Sequence, residues 1–306
     1  MTNIPIIDIG PYLDGSDKAG VAQQIGRACE EIGFFTISGH GIPVELIQQA
    51  NDAARTFFDL SIAEKRRAEA AGGMGYIGPD GENLAASLDD DAVVDLKESL
   101  NLIMPVSDEI WPQNPELLRV YCRSYYQSLL ELSQHLMRLF ALALDLPEMW
   151  FDNKTDDPRT ILRLLNYPAY DPAKVNLSRA GAHTDYGTLT ILWSADSRGL
   201  QAQSKAGDWV DVVAPSDHFI INIGDLMMNW TNDKWISTLH KVVPHPETLG
   251  QRRQSMAFFH NPNEDALIEC IDSCHDESHP AKYAPIVAKK HLEMKIAKSL
   301  GKDVKL

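Results

Sequence analysis

Residues 181–187 read Gly-Ala-His-Thr-Asp-Tyr-Gly, and the rest of the chain is best interpreted outward from this stretch. A single residue separates His183 from Asp185, so both side chains point to the same face of an extended strand. An imidazole nitrogen and a carboxylate oxygen on one face can bind the same metal ion. A third ligand has to come from far along the chain, and His240, within Ser-Thr-Leu-His-Lys-Val at 237–242, is the natural candidate. Two histidines and one carboxylate form the facial arrangement that suits non-haem Fe(II) and leaves coordination positions open.

The His-X-Asp pair is a common pattern by itself, and an exposed turn also accounts for it. The residues downstream favour the metal site. Arg253-Gln254-Ser255 follows His240, with Arg253 and Ser255 on one face of a predicted strand. Arginine offers a planar fork for a carboxylate, and serine adds a hydroxyl donor. Three candidate ligands followed by a candidate carboxylate site are a much rarer combination than the pair alone.

With these motifs the chain resembles a known family, the isopenicillin-N-synthase-like branch of the Fe(II)/2-oxoglutarate-dependent oxygenases. The likeness runs from Ile4 to about Pro285. The motifs that carry it are His-Thr-Asp at 183–185, Gly-Asp at 224–225, Trp-Thr-Asn-Asp at 230–233, Leu-His-Lys-Val at 239–242 and Arg-X-Ser at 253–255. Lys241 stands where the family usually has arginine, which is a conservative departure at a position that is not a ligand.

The fold class expected from this resemblance is α+β, with a double-stranded β-helix (jelly-roll) core, an N-terminal α/β segment and bracing helices. Short apolar runs separated by turns from Thr160 onward also favour a sandwich or barrel. A long amphipathic pattern from Pro115 to about Leu144 predicts the bracing helix. We expect four segments: an N-terminal oxygenase segment at 1–110, the bracing helix at 111–155, the catalytic jelly-roll core at 156–264 and a C-terminal tail at 265–306.

The resemblance implies a dioxygenase that hydroxylates or desaturates a small organic molecule. Its cofactors would be Fe(II), 2-oxoglutarate as co-substrate and O₂, and 2-oxoglutarate would be decarboxylated to succinate and CO₂. Three residues are implied as catalytic metal ligands and three as cofactor-binding residues: His183, Asp185 and His240 for iron, and Arg253, Ser255 and Tyr167 for 2-oxoglutarate. For Tyr167, a core tyrosine is the alternative. Two other functions stay open, a same-fold iron oxidase that uses no 2-oxo acid and a non-catalytic small-molecule binding module.

Four residues are candidates for contact with the substrate: Tyr76, Asn101, Tyr186 and Phe258. Tyr76 lies in a glycine-rich segment from Gly72 to Gly81, whose backbone has few steric restraints. A mobile lid that carries Tyr76 over the metal site and a surface loop are both compatible with this segment.

Composition excludes several classes of partner. The net charge of −15 argues against nucleic acid and anionic membrane surfaces, since there is no basic field to attract phosphates. A small-molecule substrate remains the expected partner. Four scattered cysteines indicate reduced thiols in a cytoplasmic protein, and no stretch has the length of a membrane span. No pattern predicts an oligomeric state.

Overall fold

The structure, a computed structural model, describes residues 4–70, 73–79, 97–104, 111–112, 116–169 and 179–299. The helices are α1 (Gly10–Leu13), α2 (Lys18–Glu31), α3 (Val44–Phe58), α4 (Ile62–Lys65), α5 (Glu116–Ala143), α6 (Asp225–Trp230) and α7 (Ala288–Ser299). The strands are β1 (Ile6–Asp8), β2 (Phe34–Ser38), β3 (Gly75–Ile77), β4 (Glu98–Leu102), β5 (Ile161–Tyr167), β6 (Ala180–His183), β7 (Leu189–Ser194), β8 (Leu200–Gln203), β9 (Trp209–Asp211), β10 (Phe219–Ile223), β11 (His240–Val242), β12 (Arg253–His260), β13 (Leu267–Ile268) and β14 (Ile286–Val287). Among the helices of the described chain, none has the length and hydrophobicity that crossing a bilayer requires.

Two sheets form the core of the protein. The large sheet has the strand order β1-β2-β10-β7-β12-β5-β4-β3, and the small sheet has the order β6-β11-β8-β9. An apolar cluster joins them, with Phe34, Leu165 and Ile220 from the large sheet packing with Ala202 and Val242 from the small one. The fold is therefore α+β with a jelly-roll core, which confirms the predicted fold class.

N-terminal strands complete both edges of the large sheet. At one edge β1 pairs in parallel with β2, and β2 pairs with β10. At the other edge β3 pairs with β4, and β4 pairs with β5. The chain before α5 is thus built into the same sheet as the strands that follow it.

Alternate residues of the central strands face opposite sides of the large sheet. On β12, Met256 and Phe258 face the helical layer, where the ring centroids of Phe258 and Tyr126 of α5 are 5.3 Å apart. Ser255 and Ala257 face the small sheet and the cavity between the sheets. Helix α5 therefore braces the outer face of the large sheet, as its apolar periodicity predicted.

Strand β3 occupies the middle of the glycine-rich segment. Gly75 has a φ of +68°, and a Cβ there would lie 2.0 Å from the carbonyl oxygen of Ala68. The glycine is needed because two backbone segments approach closely. Residues 75–77 form the edge strand β3, and the lid stays a prediction; Gly72 and residues 80–81 lie outside the described residues.

A buried ion pair fastens the α4 region to the large sheet. The Nζ atom of Lys65 lies 2.7 Å from Oε2 of Glu98, and Tyr76 donates its hydroxyl hydrogen to the same oxygen. Asn166 donates to Oε1 of Glu98 at 2.8 Å. Lys65 is 8% exposed and Glu98 is 6% exposed, so water cannot replace a lost partner.

Replacing Lys65 is expected to destabilise the fold. Lys65→Met leaves the buried carboxylate of Glu98 without its cation, which should lower the free energy of unfolding by about 3–5 kcal/mol. The control is Lys18→Met, because the pair between Lys18 and Glu148 is largely exposed and should be worth at most about 1 kcal/mol. Urea unfolding of both variants checks this, and equal losses would contradict the role given to the buried pair.

Helix α7 crosses the open end of the jelly roll. Leu292 and Ile296 reach the cavity between the sheets. The Nζ atom of Lys295 lies 2.6 Å from Oδ2 of Asp225, whose side chain is almost fully buried. This ion pair ties the C-terminal helix to the start of α6, next to the stretch 181–187.

Candidate active site

Three candidate metal ligands meet at the edge of the small sheet. His183 ends β6, His240 begins β11, and the two residues are directly paired across the antiparallel strands. Their ring centroids are 4.3 Å apart, and Nε2 of His240 lies 3.8 Å from Oδ1 of Asp185. One possible ligand atom from each of the three residues lies within 4.8 Å of the others, and no other such group occurs in the described parts of the chain.

Backbone carbonyl groups fix the orientation of both imidazoles. Nδ1 of His183 donates to the carbonyl oxygen of Gly181 at 2.7 Å, and Nδ1 of His240 donates to that of Thr238 at 3.0 Å. Because a carbonyl can only accept, the proton of each neutral ring is on Nδ1. Nε2 of each ring therefore keeps a lone pair for a metal ion.

Two neighbours hold the carboxylate of Asp185. Its Oδ2 accepts hydrogen bonds from Nδ2 of Asn222 at 2.7 Å and from the hydroxyl of Thr190 at 2.5 Å. These bonds leave Oδ1 directed toward His240. Sequence reasoning missed both neighbours, although Asn222 is a polar residue inside the otherwise apolar strand β10, which is the signal that could have found it.

The loop that carries Asp185 is held against the start of α6. The backbone N–H of Asp225 donates to the carbonyl oxygen of Asp185 at 2.8 Å, and that of Leu226 donates to Gly187 at 3.0 Å. A Cβ at Gly224 would lie 2.3 Å from the carbonyl oxygen of Gly187. The Gly-Asp motif at 224–225 is thus needed for this close approach.

Burial and neighbouring groups set the charge states of His183 and Asp185. Burial and the neighbouring His240 lower the pKa of His183 to about 3, so its imidazole is neutral at physiological pH. Burial alone would raise the pKa of Asp185, but the two histidines and the hydrogen bonds from Asn222 and Thr190 outweigh it and lower the pKa. A neutral imidazole at His183 and an ionised carboxylate at Asp185 are the protonation states that metal binding needs, and the donor set of two histidines and one aspartate fits Fe(II).

A buried arginine lies at another side of the same cavity. Arg253 is 4% exposed, its Nε donates to the carbonyl oxygen of Asp196 at 3.0 Å, and its Nη1 lies 3.4 Å from Oγ of Ser255. Its Nη2 is buried and has no hydrogen-bond partner among the described residues. Tyr167 is paired with Arg253 across the strands, and its ring centroid is 5.1 Å from the guanidinium carbon. This arrangement fits a carboxylate, which would satisfy the buried nitrogen.

A cavity of about 440 Å³ connects the arginine with the metal ligands. Its lining includes all six residues predicted to hold iron and 2-oxoglutarate: His183, Asp185, His240, Arg253, Ser255 and Tyr167. Of the four candidates for substrate contact, Asn101 and Tyr186 line the cavity.

Tyr76 and Phe258 do not line the cavity, and their prediction as substrate-binding residues is corrected. Tyr76 is 2% exposed and packs against Phe57, with ring centroids 5.9 Å apart. Phe258 is fully buried on the helix side of β12, whereas Phe259 faces the cavity. Neighbouring residues of a strand face opposite sides of the sheet. Ile77 and Phe259 face the cavity, so Tyr76 and Phe258 face away from it.

The two adjacent phenylalanines should therefore respond differently to substitution. Phe258→Ala removes a core ring and is expected to lower the free energy of unfolding by about 3–5 kcal/mol. Phe259→Ala should cost less stability, because Phe259 is only partly buried, and should change substrate affinity. Thermal unfolding and substrate titration of both variants check the assignment, and the reverse pattern would contradict the strand register.

Two family descriptions match the chain. Residues 4–118 match the family described as non-haem dioxygenase in morphine synthesis N-terminal. Residues 160–262 match the 2OG-Fe(II) oxygenase superfamily. The second match contains all six residues predicted to hold iron and 2-oxoglutarate.

Several characterised proteins are similar over most of their length. Homoarginine-6-hydroxylase 2-ODD-C23 of Glycine max is 32% identical over 299 residues, covering 89% of this chain and 89% of the relative. The 2-oxoglutarate-Fe(II) type oxidoreductase hxnY of Emericella nidulans is 31% identical, covering 97% of this chain and 90% of the relative. A full-length Neurospora crassa protein crystallised with alpha-KG (2-oxoglutarate) and thymine superposes with a TM-score of 0.87 at 29% identity, covering 96% of each chain.

Proposed function

The chain belongs to the 2OG-Fe(II) oxygenase superfamily and is an Fe(II)- and 2-oxoglutarate-dependent dioxygenase, and from this premise we propose how its own residues serve the reaction. His183, Asp185 and His240 hold the iron. Arg253 and Ser255 hold the far carboxylate of 2-oxoglutarate. The observation that carries the proposal is that one cavity contains both the three ligands and a buried arginine nitrogen without a partner in the described chain.

The residues around the iron ligands work by orientation. Gly181 and Thr238 fix the imidazoles through their carbonyl oxygens, and Asn222 and Thr190 fix the carboxylate. When bound, iron and 2-oxoglutarate supply the oxidative chemistry, in which O₂ is consumed and 2-oxoglutarate yields succinate and CO₂. His183, Asp185 and His240 held in this way would bind the iron as three protein ligands, and this donor set would leave coordination positions for the co-substrate and O₂.

At the co-substrate end, Arg253 acts as a fixed fork. The contacts of its Nε with Asp196 and of its Nη1 with Ser255 hold the guanidinium plane, so Nη2 can donate to a carboxylate without reorganisation. Burial lowers the pKa of Arg253 from its usual value, and an anion beside the guanidinium would raise that pKa again. Tyr167 packs beside the guanidinium and completes this end of the cavity.

On the substrate side, Asn101 and Tyr186 contact the molecule that is oxidised. Nδ2 of Asn101 donates to the carbonyl oxygen of Gly73 at 2.7 Å, which fixes the amide orientation. Its Oδ1 is buried and has no hydrogen-bond partner in the described chain, so it can accept a hydrogen bond from a hydroxyl or amino group of the substrate. Helix α7 covers this side with Leu292 and Ile296 and limits the access of water.

The outcome for the substrate is the oxidation of a C–H bond in a small organic molecule, by hydroxylation or desaturation. The Glycine max relative is named as a hydroxylase of homoarginine, and the Neurospora protein was crystallised with thymine. Both homoarginine and thymine are small molecules, which supports a small-molecule substrate for this protein. We also propose that the protein is cytoplasmic, which its four free cysteines support.

The test is to follow 2-oxoglutarate and product together. Purified protein with Fe(II) is incubated with 2-oxoglutarate, O₂ and a panel of small acids, amino acids and aromatic compounds. Succinate and the oxidised product should form in equal molar amounts, and omission of 2-oxoglutarate should stop the reaction. Product formation without 2-oxoglutarate would favour the iron oxidase instead, and failure to bind either metal or 2-oxoglutarate would favour the binding module.

A further inference from the structure

A buried carboxylate lies beside the metal site and is not one of its three candidate ligands. Asp225 is the first residue of α6 and is 3% exposed. Taking an ionised carboxylate out of water costs free energy, so its oxygens need partners inside the protein. The partners of Asp225 therefore show which parts of the protein its side chain holds together.

On one side Asp225 holds the loop that carries Asp185. Its backbone N–H donates to the carbonyl oxygen of Asp185 at 2.8 Å. The hydroxyl of Thr184, the residue between the first two ligands, donates to Oδ2 of Asp225 at 3.4 Å. The backbone and the side chain of one residue thus contact two consecutive residues of the ligand loop.

On the other side Asp225 holds the segment that leads to His240. The hydroxyl of Ser237, which is 8% exposed, donates to Oδ1 of Asp225 at 2.6 Å. The next residue, Thr238, accepts the hydrogen bond from Nδ1 of His240 at its carbonyl oxygen. Asp225 therefore joins the segment of the first two ligands to the segment of the third, which is far away in the sequence.

The cation that balances this carboxylate comes from the C-terminal helix. Nζ of Lys295 lies 2.6 Å from Oδ2 of Asp225. The start of α7 is anchored elsewhere, because β14 pairs with β13 and Lys289 pairs with Glu264 at 2.8 Å. Lys295 thus links the second half of α7, which covers the cavity, to the residue that joins the ligand segments.

We propose that Asp225 is a positioning residue for the metal site and that Lys295 couples the docking of α7 to iron binding. This rests on the proposed function, because it takes His183, Asp185 and His240 as the iron ligands. With α7 docked, the ammonium group balances the carboxylate and keeps it between the two hydroxyls. Without α7 the buried carboxylate lacks its cation, so the ligand segments lose their common support and bind iron less tightly.

The first experiment removes one of two lysines from the same helix. Lys295→Met takes the cation from Asp225, and the apparent affinity for Fe(II) should fall by about 5-fold or more, as is typical of coupling between two sites. Lys289→Met is the matched control, since its partner Glu264 is largely exposed, and it should keep the wild-type affinity. Fe(II) is titrated anaerobically into each apoprotein, and urea unfolding of the apoproteins is measured in parallel.

Substitutions of Asp225 itself test its positioning role. Asp225→Ala removes the link between the two ligand segments, and iron affinity should fall by about 10- to 100-fold, as for residues that orient metal ligands. Asp225→Asn should recover part of this loss, because the amide oxygen can still accept a hydrogen bond from Ser237. Wild-type iron affinity in Asp225→Ala would overturn the positioning role.

A double variant tests whether Lys295 acts through Asp225. In Asp225→Asn there is no buried charge for the lysine to balance, so adding Lys295→Met should cause little further loss of iron affinity. Losses that add in full would overturn the coupling through Asp225. They would show that Lys295 acts on another group, such as Tyr186, whose ring centroid lies 5.9 Å from Nζ.

Coupling between two sites is reciprocal, so iron must also act on the helix. Fe(II) should slow amide hydrogen exchange in α7, although this helix supplies none of the three candidate ligands. Because ligand binding stabilises the whole fold, the protection in α7 has to exceed that in α3, which does not line the cavity. This measurement uses the wild-type protein and decides on the coupling even if Lys295→Met does not fold.

Equal iron affinities in Lys295→Met and Lys289→Met would overturn the coupling, as would protection by iron that is no greater in α7 than in α3. A less stable Lys295→Met apoprotein with unchanged iron affinity would also overturn it, since a purely structural ion pair has that effect. Normal iron binding by the wild-type protein together with any of these results would refute only the coupling. Failure of the wild-type protein to bind Fe(II) would refute the proposed metal site.

Discussion

Asp185→Ala and His240→Ala are each expected to abolish turnover and iron binding while leaving the fold intact. The site offers three protein ligands, and each substitution removes one of them. The loss should exceed the roughly 10–100-fold in metal affinity that is typical for residues that only orient a ligand. Iron content after anaerobic loading, succinate formation and circular dichroism are measured on the same preparations. Wild-type turnover in either variant would refute the metal assignment.

The matched control for this prediction is Asn222→Ala. Asn222 donates to Asp185 at 2.7 Å and is not one of the three candidate metal ligands. Its loss leaves all three ligands present with one less firmly oriented, so iron affinity should fall by about 10–100-fold and be recovered at higher iron concentration. Activity that iron restores in Asn222→Ala but not in Asp185→Ala would distinguish an orienting residue from a ligand.

Site residues that lie close together in the sequence were the easiest to predict. His183 and Asp185 are two residues apart in sequence, which keeps their side chains near each other although β6 ends at His183 and Asp185 lies in the loop that follows. His240 needed the motif around it, because nothing local reveals that β11 pairs with β6. The jelly roll followed from the many short strands and from the family resemblance, and the two sheets confirm it.

Strand register was the part that sequence could not supply. Phe258 and Phe259 are equally apolar, and only the pairing of β12 with β5 and β7 decides which ring faces the cavity. Tyr76 was misjudged for a related reason. Its neighbouring glycines indicated freedom of motion, whereas Gly75 serves a tight backbone contact and Tyr76 fills the core. A one-residue shift exchanges the faces of a strand, so such errors are inherent in reading a single sequence.

Residues outside motifs were missed for another reason. Asn222 is 37 residues away in sequence from Asp185, the carboxylate that it holds. Asn222 lies opposite Thr190 because β10 pairs with β7, and the side chains of both residues donate to Asp185. Long-range pairing of this kind leaves no local pattern apart from a polar residue within an apolar strand.

The role proposed for Arg253 predicts a large change in the requirement for 2-oxoglutarate. Arg253→Lys keeps a positive charge but loses the planar fork that Asp196 and Ser255 hold in place. Disrupting a buried, charged hydrogen bond costs on the order of 2–5 kcal/mol. The apparent affinity for 2-oxoglutarate should therefore fall by about 30-fold or more, because each 1.4 kcal/mol is a factor of ten.

The adjacent residue provides the control for this last prediction. Arg252 points away from the cavity, donates to Asn166 at 2.6 Å and pairs with Asp59 on the outside of the sheet. Arg252→Lys makes the same chemical change one residue away, so it should leave the 2-oxoglutarate requirement near that of the wild type. Both variants are titrated with 2-oxoglutarate under anaerobic conditions with Fe(II), and their thermal unfolding is recorded. Equal 2-oxoglutarate affinities in the two variants would show that Arg253 does not bind the far carboxylate, whereas a loss confined to Arg253→Lys would place that carboxylate at the buried nitrogen facing the cavity.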